Sequence, residues 1–335
     1  GMNKLKPLPE EWSGLLNNEQ KEAIENINGP LLIIAGAGSG KTRVLTYRYA
    51  HLIKTYGINF ENVLAITFTN KAANEMKDRI SDLLNLELSP KWISTFHSLC
   101  VKMLRIHGHL IGFNNNFTIY DQSDSTKLVR NCMRDSDIDT KQYSPKRIQA
   151  HISSLKNQRI LPGEAVEFAQ SFFDVKVAEI YSSYQKKLML ANSMDFDDLL
   201  IKAVELLETS DKSLNYWSSK FQYIMIDEYQ DTNMVQYRLV ELLASKHKNI
   251  CVVGDSDQSI YAFRGADIRN IEEFESDFKN AKVISLEKNY RSSQKILDIA
   301  NAVISNNPRK KDKKLWTDND EGLDVNLVEF NSERD

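Results

Sequence analysis

Residues 31–42, Leu-Leu-Ile-Ile-Ala-Gly-Ala-Gly-Ser-Gly-Lys-Thr, carry the groups needed to hold a polyphosphate. The leading apolar run predicts a short buried strand, and Gly36, Gly38 and Gly40 let the backbone fold back before Lys41 and Thr42 open a helix. In such a turn the backbone N–H groups at the helix start face an anion. Lys41 can reach the terminal phosphates, and the Thr42 hydroxyl can ligate Mg²⁺. The pattern G-x-x-x-x-G-K-[ST] is met except at its first position, which is Ala35 and needs only to be small; Gly36, Ala37, Gly38, Ser39 and Gly40 complete the cradle. A glycine-rich turn that binds nothing does not account for the Lys and Thr that follow Gly40.

A second constellation is Ile224-Met225-Ile226-Asp227-Glu228, two carboxylates after an apolar run. Asp227 suits Mg²⁺, and Glu228 suits orienting and deprotonating a water. An acidic loop after a strand is common by itself. Paired with a phosphate cradle, it points to hydrolysis rather than to transfer onto another acceptor. Val252-Val253-Gly254-Asp255-Ser256-Asp257-Gln258 repeats the plan of strand and polar turn, with Gln258 placed to sense a γ-phosphate and Tyr261, Phe263 and Arg264 close behind it. Further on, Tyr290 can stack on adenine and Arg291 can stabilise charge on a phosphoryl group.

Some candidates have two readings. Gln20 follows Asn17 at capping-box spacing, and its amide also has the donor and acceptor needed for the edge of adenine. Phe68 is either a core plug or a base-stacking platform, and the residues alone favour the plug. His97 on its own reads as a structural histidine.

These groups need elements to position them. Strands are predicted at 63–67, 92–95, 223–226, 250–253 and 283–286, most of them followed by a helix, which implies a mostly parallel sheet with ligands at its carboxyl edge. Asn70 is expected to cap a helix with Ala73, Met76, Ile80 and Leu83 on one face. From 98 to 218 the period is helical almost throughout, with a candidate strand only at 117–120, so a helical domain is expected to interrupt an α/β one at 1–97 and 219–285. A strand at 323–330 suggests that a further domain starts at 286–335 and is cut off, and Gly1 before Met2 reads as the remnant of a cleaved tag.

Composition sets the remaining bounds. The 335 residues exceed a typical single domain, and 41% hydrophobic with 27% charged residues is an ordinary water-exposed balance. Mean hydropathy is −0.44, no apolar run could span a bilayer, and no signal-peptide core is present, so a cytoplasmic location and no membrane partner are expected. Net charge −3 argues against gripping nucleic acid through a bulk positive field, so any such binding must be local. Cys100, Cys132 and Cys251 are spaced for neither zinc nor a disulfide framework and read as buried small hydrophobes.

Taken in order, AGAGSGKT, TFTNKAANEM, STFHS, SMDFDDLL, IDEYQD, GDSDQSIYAFRGA and LEKNYRS resemble the motifs of superfamily 1 DNA helicases of the UvrD/Rep/PcrA type, across nearly all of residues 15 to 320. The resemblance implies an α/β fold: a RecA-like P-loop NTPase domain with a parallel sheet, interrupted by an inserted all-helical domain. It also implies an ATP- and Mg²⁺-dependent helicase or translocase of 3′ to 5′ polarity that acts on single-stranded DNA and single-strand/duplex junctions in repair or replication.

By the same resemblance, Gln20 reads adenine while Arg43 and Tyr290 sandwich it. Lys41 and Thr42 serve phosphate and metal, Asp227 and Glu228 are the metal aspartate and catalytic glutamate, and Gln258 and Arg291 are the γ-phosphate sensor and an arginine finger. Phe68, His97, Phe196, Tyr261, Phe263 and Arg264 line the DNA path. Two departures stand out. Phe263 occupies a position often held by tryptophan, and the family's later motifs, with a second arginine finger, have no counterpart before Asp335. The chain is therefore expected to be an N-terminal part whose partner is its own missing C-terminal half. The rival expectations are a nucleotide- and DNA-binding module without turnover, and a P-loop phosphotransferase.

Overall fold

The computed structural model describes residues 3–36, 38–255, 277–278 and 280–287. Ala37, Gln258, Tyr261, Phe263, Arg264, Tyr290, Arg291 and the predicted strand at 323–330 therefore lie outside the described residues. The chain divides into two compact units. In the first, α1 (Asn18–Glu25) precedes β1 (Leu31–Ala35), α2 (Lys41–Lys54), β2 (Val63–Thr67), α3 (Asn70–Leu84) and β3 (Ile93–Thr95). The chain then runs through the second unit, His97–Ser213, in α4 (Phe96–His107), β4 (Thr118–Tyr120), α5 (Gln122–Asp135), α6 (Pro145–Asn157), α7 (Phe172–Leu190), β5 (Ser193–Asp195) and α8 (Phe196–Thr209). It returns with α9 (Asp211–Lys220) and β6 (Tyr223–Ile226). After α10 (Met234–Leu243), whose residues Met234–Leu239 group with the second unit, come β7 (Ile250–Asp255) and β8 (Lys282–Ser285).

The first unit is built on a six-stranded sheet ordered β3-β2-β6-β7-β1-β8, with every described pairing parallel. β1, β2 and β6 are buried at every position, as expected of strands covered on both faces, and this is why each reads as a continuous apolar run. Ile33, Val253, Ala65 and Met225 join Ile24 of α1 and Val44 and Leu52 of α2 in one core. Crossover strands of this kind share a carboxyl edge, so Gly36, residues 38–42, Asp227 and Asp255 all lie at the same end of the sheet.

Caps explain where several helices begin. Asn17 and Gln20 close the predicted box around the start of α1: Gln20 N donates to Asn17 Oδ1 at 2.8 Å and Asn17 N donates to Gln20 Oε1 at 2.9 Å. The cap of α3 differs from expectation. Thr69 provides it, accepting from Ala72 N, and Asn70 is the first helical residue. Ala73, Met76 and Ile80 of α3 are buried, with Leu83 packed beside them.

Among its described residues, the second unit is helical apart from β4 and β5, which pair in parallel, and its connecting turns. Ser193–Asp195 carries no strand pattern of its own. Its core holds Val129, Ile148, Ile152, Val177, Tyr184 and Leu188, and also a buried charge cluster. Lys156, 2% exposed, donates to Asp195 Oδ2 at 2.7 Å and Asp198 Oδ1 at 3.0 Å, and the Tyr184 hydroxyl donates to Asp195 at 2.7 Å. Burial pulls the Lys156 ammonium down, but Asp195 and Asp198 more than reverse this and hold it above its ordinary value. One lysine does not neutralise three carboxylates. Asp195 ends below its usual range despite burial, while burial and the Asp195 charge push Asp197 and Asp198 up. Cys100, Cys132 and Cys251 are buried thiols, as the sequence suggests.

Candidate nucleotide and nucleic-acid site

The turn after β1 forms through its glycines and one serine. Gly38 and Gly40 take positive φ of 74° and 79°, and the Ser39 hydroxyl donates to Gly36 O at 2.7 Å while accepting from Gly36 N at 3.1 Å. The chain thus closes into a loop whose last residue, Gly40, caps α2. A cleft of about 620 Å³ opens over it, lined by Ala35, Gly36, residues 38–42, Gln20, Arg43, Arg79 and Asp255. Of these, Arg79 and Asp255 were not singled out as ligand-facing from sequence. Nothing in the sequence indicated that α3 reaches the cradle.

Gln20 fills a dual position. Its amide closes the cap of α1 through Oε1, and its Nε2 donates to Ser39 O at 3.1 Å, which ties the first helix to the cradle. An amide carries two donor hydrogens and two acceptor lone pairs, so each polar atom of this cleft-lining residue keeps capacity for one further bond. Arg43 is exposed, with Nη1 donating to Leu15 O at 2.9 Å.

β6 delivers the acidic pair. Asp227 N donates to Ile66 O of β2 at 3.0 Å, which fixes the strand end, and Glu228 follows in the left-handed region at φ 52°. A non-glycine residue there stores strain, of order 1 to 3 kcal/mol, that its surroundings must hold. Those surroundings are on hand: Glu228 N donates to Asp227 Oδ1 at 2.8 Å, and Gln230 Nε2 donates to Glu228 Oε2 at 2.7 Å. Lys41 comes from the cradle to pair with both acids, 3.2 Å from Asp227 Oδ1 and in a short ion pair with Glu228 Oε1.

The charges respond to one another. Burial pulls Lys41 down, but Asp227 and then Glu228 reverse this and leave it raised. Burial pushes Asp227 up against the opposing pull of Lys41. Asp231 is pushed up to about 6 by desolvation and then by the charges of Glu228 and Asp255. The edge of the sheet is therefore short of cations, and the space between Asp227 and Glu228 accepts one, here the Lys41 ammonium. Hard oxygen donors next to a phosphate cradle match what Mg²⁺ prefers. Among the described residues no cluster of three or more His, Cys, Asp or Glu forms a self-sufficient metal cage.

Residues 16–279 match the model of the UvrD/REP helicase N-terminal domain, and residues 284–335 match that of the UvrD-like helicase C-terminal domain. The chain belongs to the UvrD/REP helicase family. Among its curated relatives is an ATP-dependent DNA helicase PcrA of Staphylococcus aureus (strain Mu50), 50% identical over 320 residues, covering 96% of this chain and 44% of the relative. The protein of the same description from Staphylococcus epidermidis (strain ATCC 12228) is 49% identical over the same shares. The chain thus spans under half the length of the curated relatives it matches. The parallel sheet with its phosphate loop is the RecA-like P-loop fold expected of a UvrD/REP-type chain.

The described candidates for nucleic-acid contact fall in two places. Phe68, half-buried after β2, meets the fully buried Phe96 edge to face, with ring centres 5.4 Å apart. In the second unit, His97 and the half-buried Phe196 meet at 5.7 Å and 73°. Phe196 opens α8 directly after Asp195, whose capping box with Asp198 shares the carboxylates held by Lys156.

Proposed function

We propose that this chain is the N-terminal motor portion of an ATP-dependent DNA helicase that moves along single-stranded DNA. The observation that carries the reading is the meeting of Lys41 with Asp227 and Glu228 beside a glycine-built cradle at one sheet edge. The relatives' printed description as ATP-dependent DNA helicases agrees with it. Residues 1–97 and 219–285 are assigned to one ATPase domain, 98–218 to an accessory insertion, and 286–335 to the start of a second ATPase domain. Polarity of 3′ to 5′, action at single-strand/duplex junctions and a cytoplasmic setting complete the reading. No described helix is long and apolar enough to cross a membrane.

ATP is the substrate in this scheme. Its adenine lies by Gln20, between Arg43 and Tyr290, and its phosphates lie on the N–H groups of residues 36–42. Lys41 moves from the two carboxylates to the terminal phosphates, which frees Glu228 Oε1. Glu228 then accepts the proton of a water whose oxygen bonds the γ-phosphorus as the bond to the bridging oxygen breaks. Thr42 and Asp227 are the residues that would hold Mg²⁺, which when bound offsets phosphate charge. Gln258 and Arg291 are assigned to sensing the γ-phosphate and stabilising the transferring group. Phe68, His97, Phe196, Tyr261, Phe263 and Arg264 are assigned to the strand path, where stacking contributes about 1 to 3 kcal/mol per base without needing a basic surface.

A second reading applies to the polypeptide alone, because it spans 44% of its relatives. By itself it binds nucleotide and single-stranded DNA without turnover. The deciding experiment measures nucleotide binding and ATP hydrolysis on one sample, with and without short single-stranded DNA. DNA-stimulated hydrolysis by the full-length protein is expected, with binding and no turnover by the 335-residue chain. A full-length protein whose hydrolysis ignores DNA would remove the helicase reading.

A further inference from the structure

We infer that Gln230 is a positioning residue for hydrolysis, its amide clamping the Glu228 carboxylate to the backbone at the end of β7. Gln230 is 2% exposed, in the 3-10 turn Tyr229–Asp231, and uses the two ends of its amide on two different strands. Nε2 donates to Glu228 Oε2 at 2.7 Å, beyond the end of β6, and Oε1 accepts from Asp255 N at 2.9 Å, the last residue of β7.

The chemistry of the clamp follows from which oxygen it takes. It occupies Oε2, while Lys41 pairs with Oε1. Release of Lys41 thus exposes one carboxylate oxygen whose partner stays anchored, and the plane of the carboxylate is set before water arrives. A left-handed Glu228 backbone makes such an anchor necessary, since the strained turn by itself does not fix χ angles. A buried amide that merely satisfied its own polar atoms could do so on any carbonyl and N–H. This one joins a carboxylate to the neighbouring strand, a short and dry path between β6 and β7. Misplacement of a reacting group by about 1 Å costs on the order of a hundredfold in rate.

The inference rests on Glu228 being the group that activates water, and the test separates the two. Gln230→Glu keeps the size and the acceptor for Asp255 N but removes the donor to Glu228; Gln230→Ala removes both. In the full-length protein we expect each to lower kcat for ATP hydrolysis by roughly tenfold or more, with nucleotide affinity, read by a fluorescent ATP analogue, within about twofold of the unsubstituted protein. In a Glu228→Gln background neither is expected to lower the residual rate further, because there is no base left to position. Unchanged kcat in Gln230→Glu, or an equal additional loss in the Glu228→Gln background, would overturn the clamp. Unchanged hydrolysis in Glu228→Gln alone would instead overturn the role of Glu228 on which the clamp depends.

Discussion

The side-chain amide of Gln20 donates to the carbonyl of Ser39, 3.1 Å away across 19 residues, and so lies directly against the loop that closes around Gly40. A Cβ built on Gly40 would run into Gln20 Nε2, and the φ of 79° is one that side chains avoid. Gly40→Ala combines a backbone penalty of about 1 to 2 kcal/mol with the displacement of Gln20. Nucleotide affinity is expected to fall on the order of tenfold or more, together with a lower Tm. Titration with a fluorescent nucleotide beside a thermal melt checks both.

Phe68 is half-buried and meets Phe96 edge to face, and its assignment to the strand path is a proposal that a variant can test. Phe68→Ala is expected to weaken single-stranded DNA binding by about 1 to 3 kcal/mol with little change in Tm. Anisotropy with a labelled oligonucleotide measures the first and calorimetry the second. A large fall in Tm with DNA affinity kept would return Phe68 to the core.

Lys156 holds Asp195 and Asp198 in a site that water does not reach. Lys156→Met leaves their charge uncompensated, and the expected loss is about 3 to 5 kcal/mol. Replacing Lys156 by Met and Asp195 by Asn together should recover part of it. Urea melts of the single and double variants give the comparison.

His51 is fully buried, and its pKa is lowered to about 4 by burial and then by the charge of Arg48, against a backbone contact from Lys6 that raises it. Its folded value lies below its ordinary value of 6.5, so the unfolded chain binds the proton first. The stability it contributes is complete above about pH 6.5 and is lost as pH falls through about 4, up to roughly 3 kcal/mol. His51→Gln should flatten the fall of Tm over that window. Melts at matched pH values test it, and an unchanged slope would remove His51 as the source.

What the sequence made legible is local. The cradle could be read because strand, glycines, Lys41 and Thr42 are consecutive, and β2, β6 and β7 because buried parallel strands are continuous apolar runs. What was missed depends on partners far along the chain. Ser193–Asp195 is a strand only because Thr118–Tyr120 lies beside it, the part played by Lys156 shows only once Asp195 is placed next to it, and Gln230 gains meaning only from Asp255. The capping of α3 by Thr69 instead of Asn70 is a one-residue error between two good capping residues.

Sheet order also dictates a schedule of synthesis. β1 lies between β7 and β8, so Leu31–Ala35 has no neighbour to pair with until Ile250–Asp255 has been made. At a ribosomal pace of ~5 to 20 residues per second, that strand waits about 10 to 40 s with its amides unpaired and apolar on both faces. The helices of His97–Ser213 are made sooner and can pack in the interval. The glycine-built turn after β1 therefore reaches its final setting in the sheet only after residues 97–213 have been made.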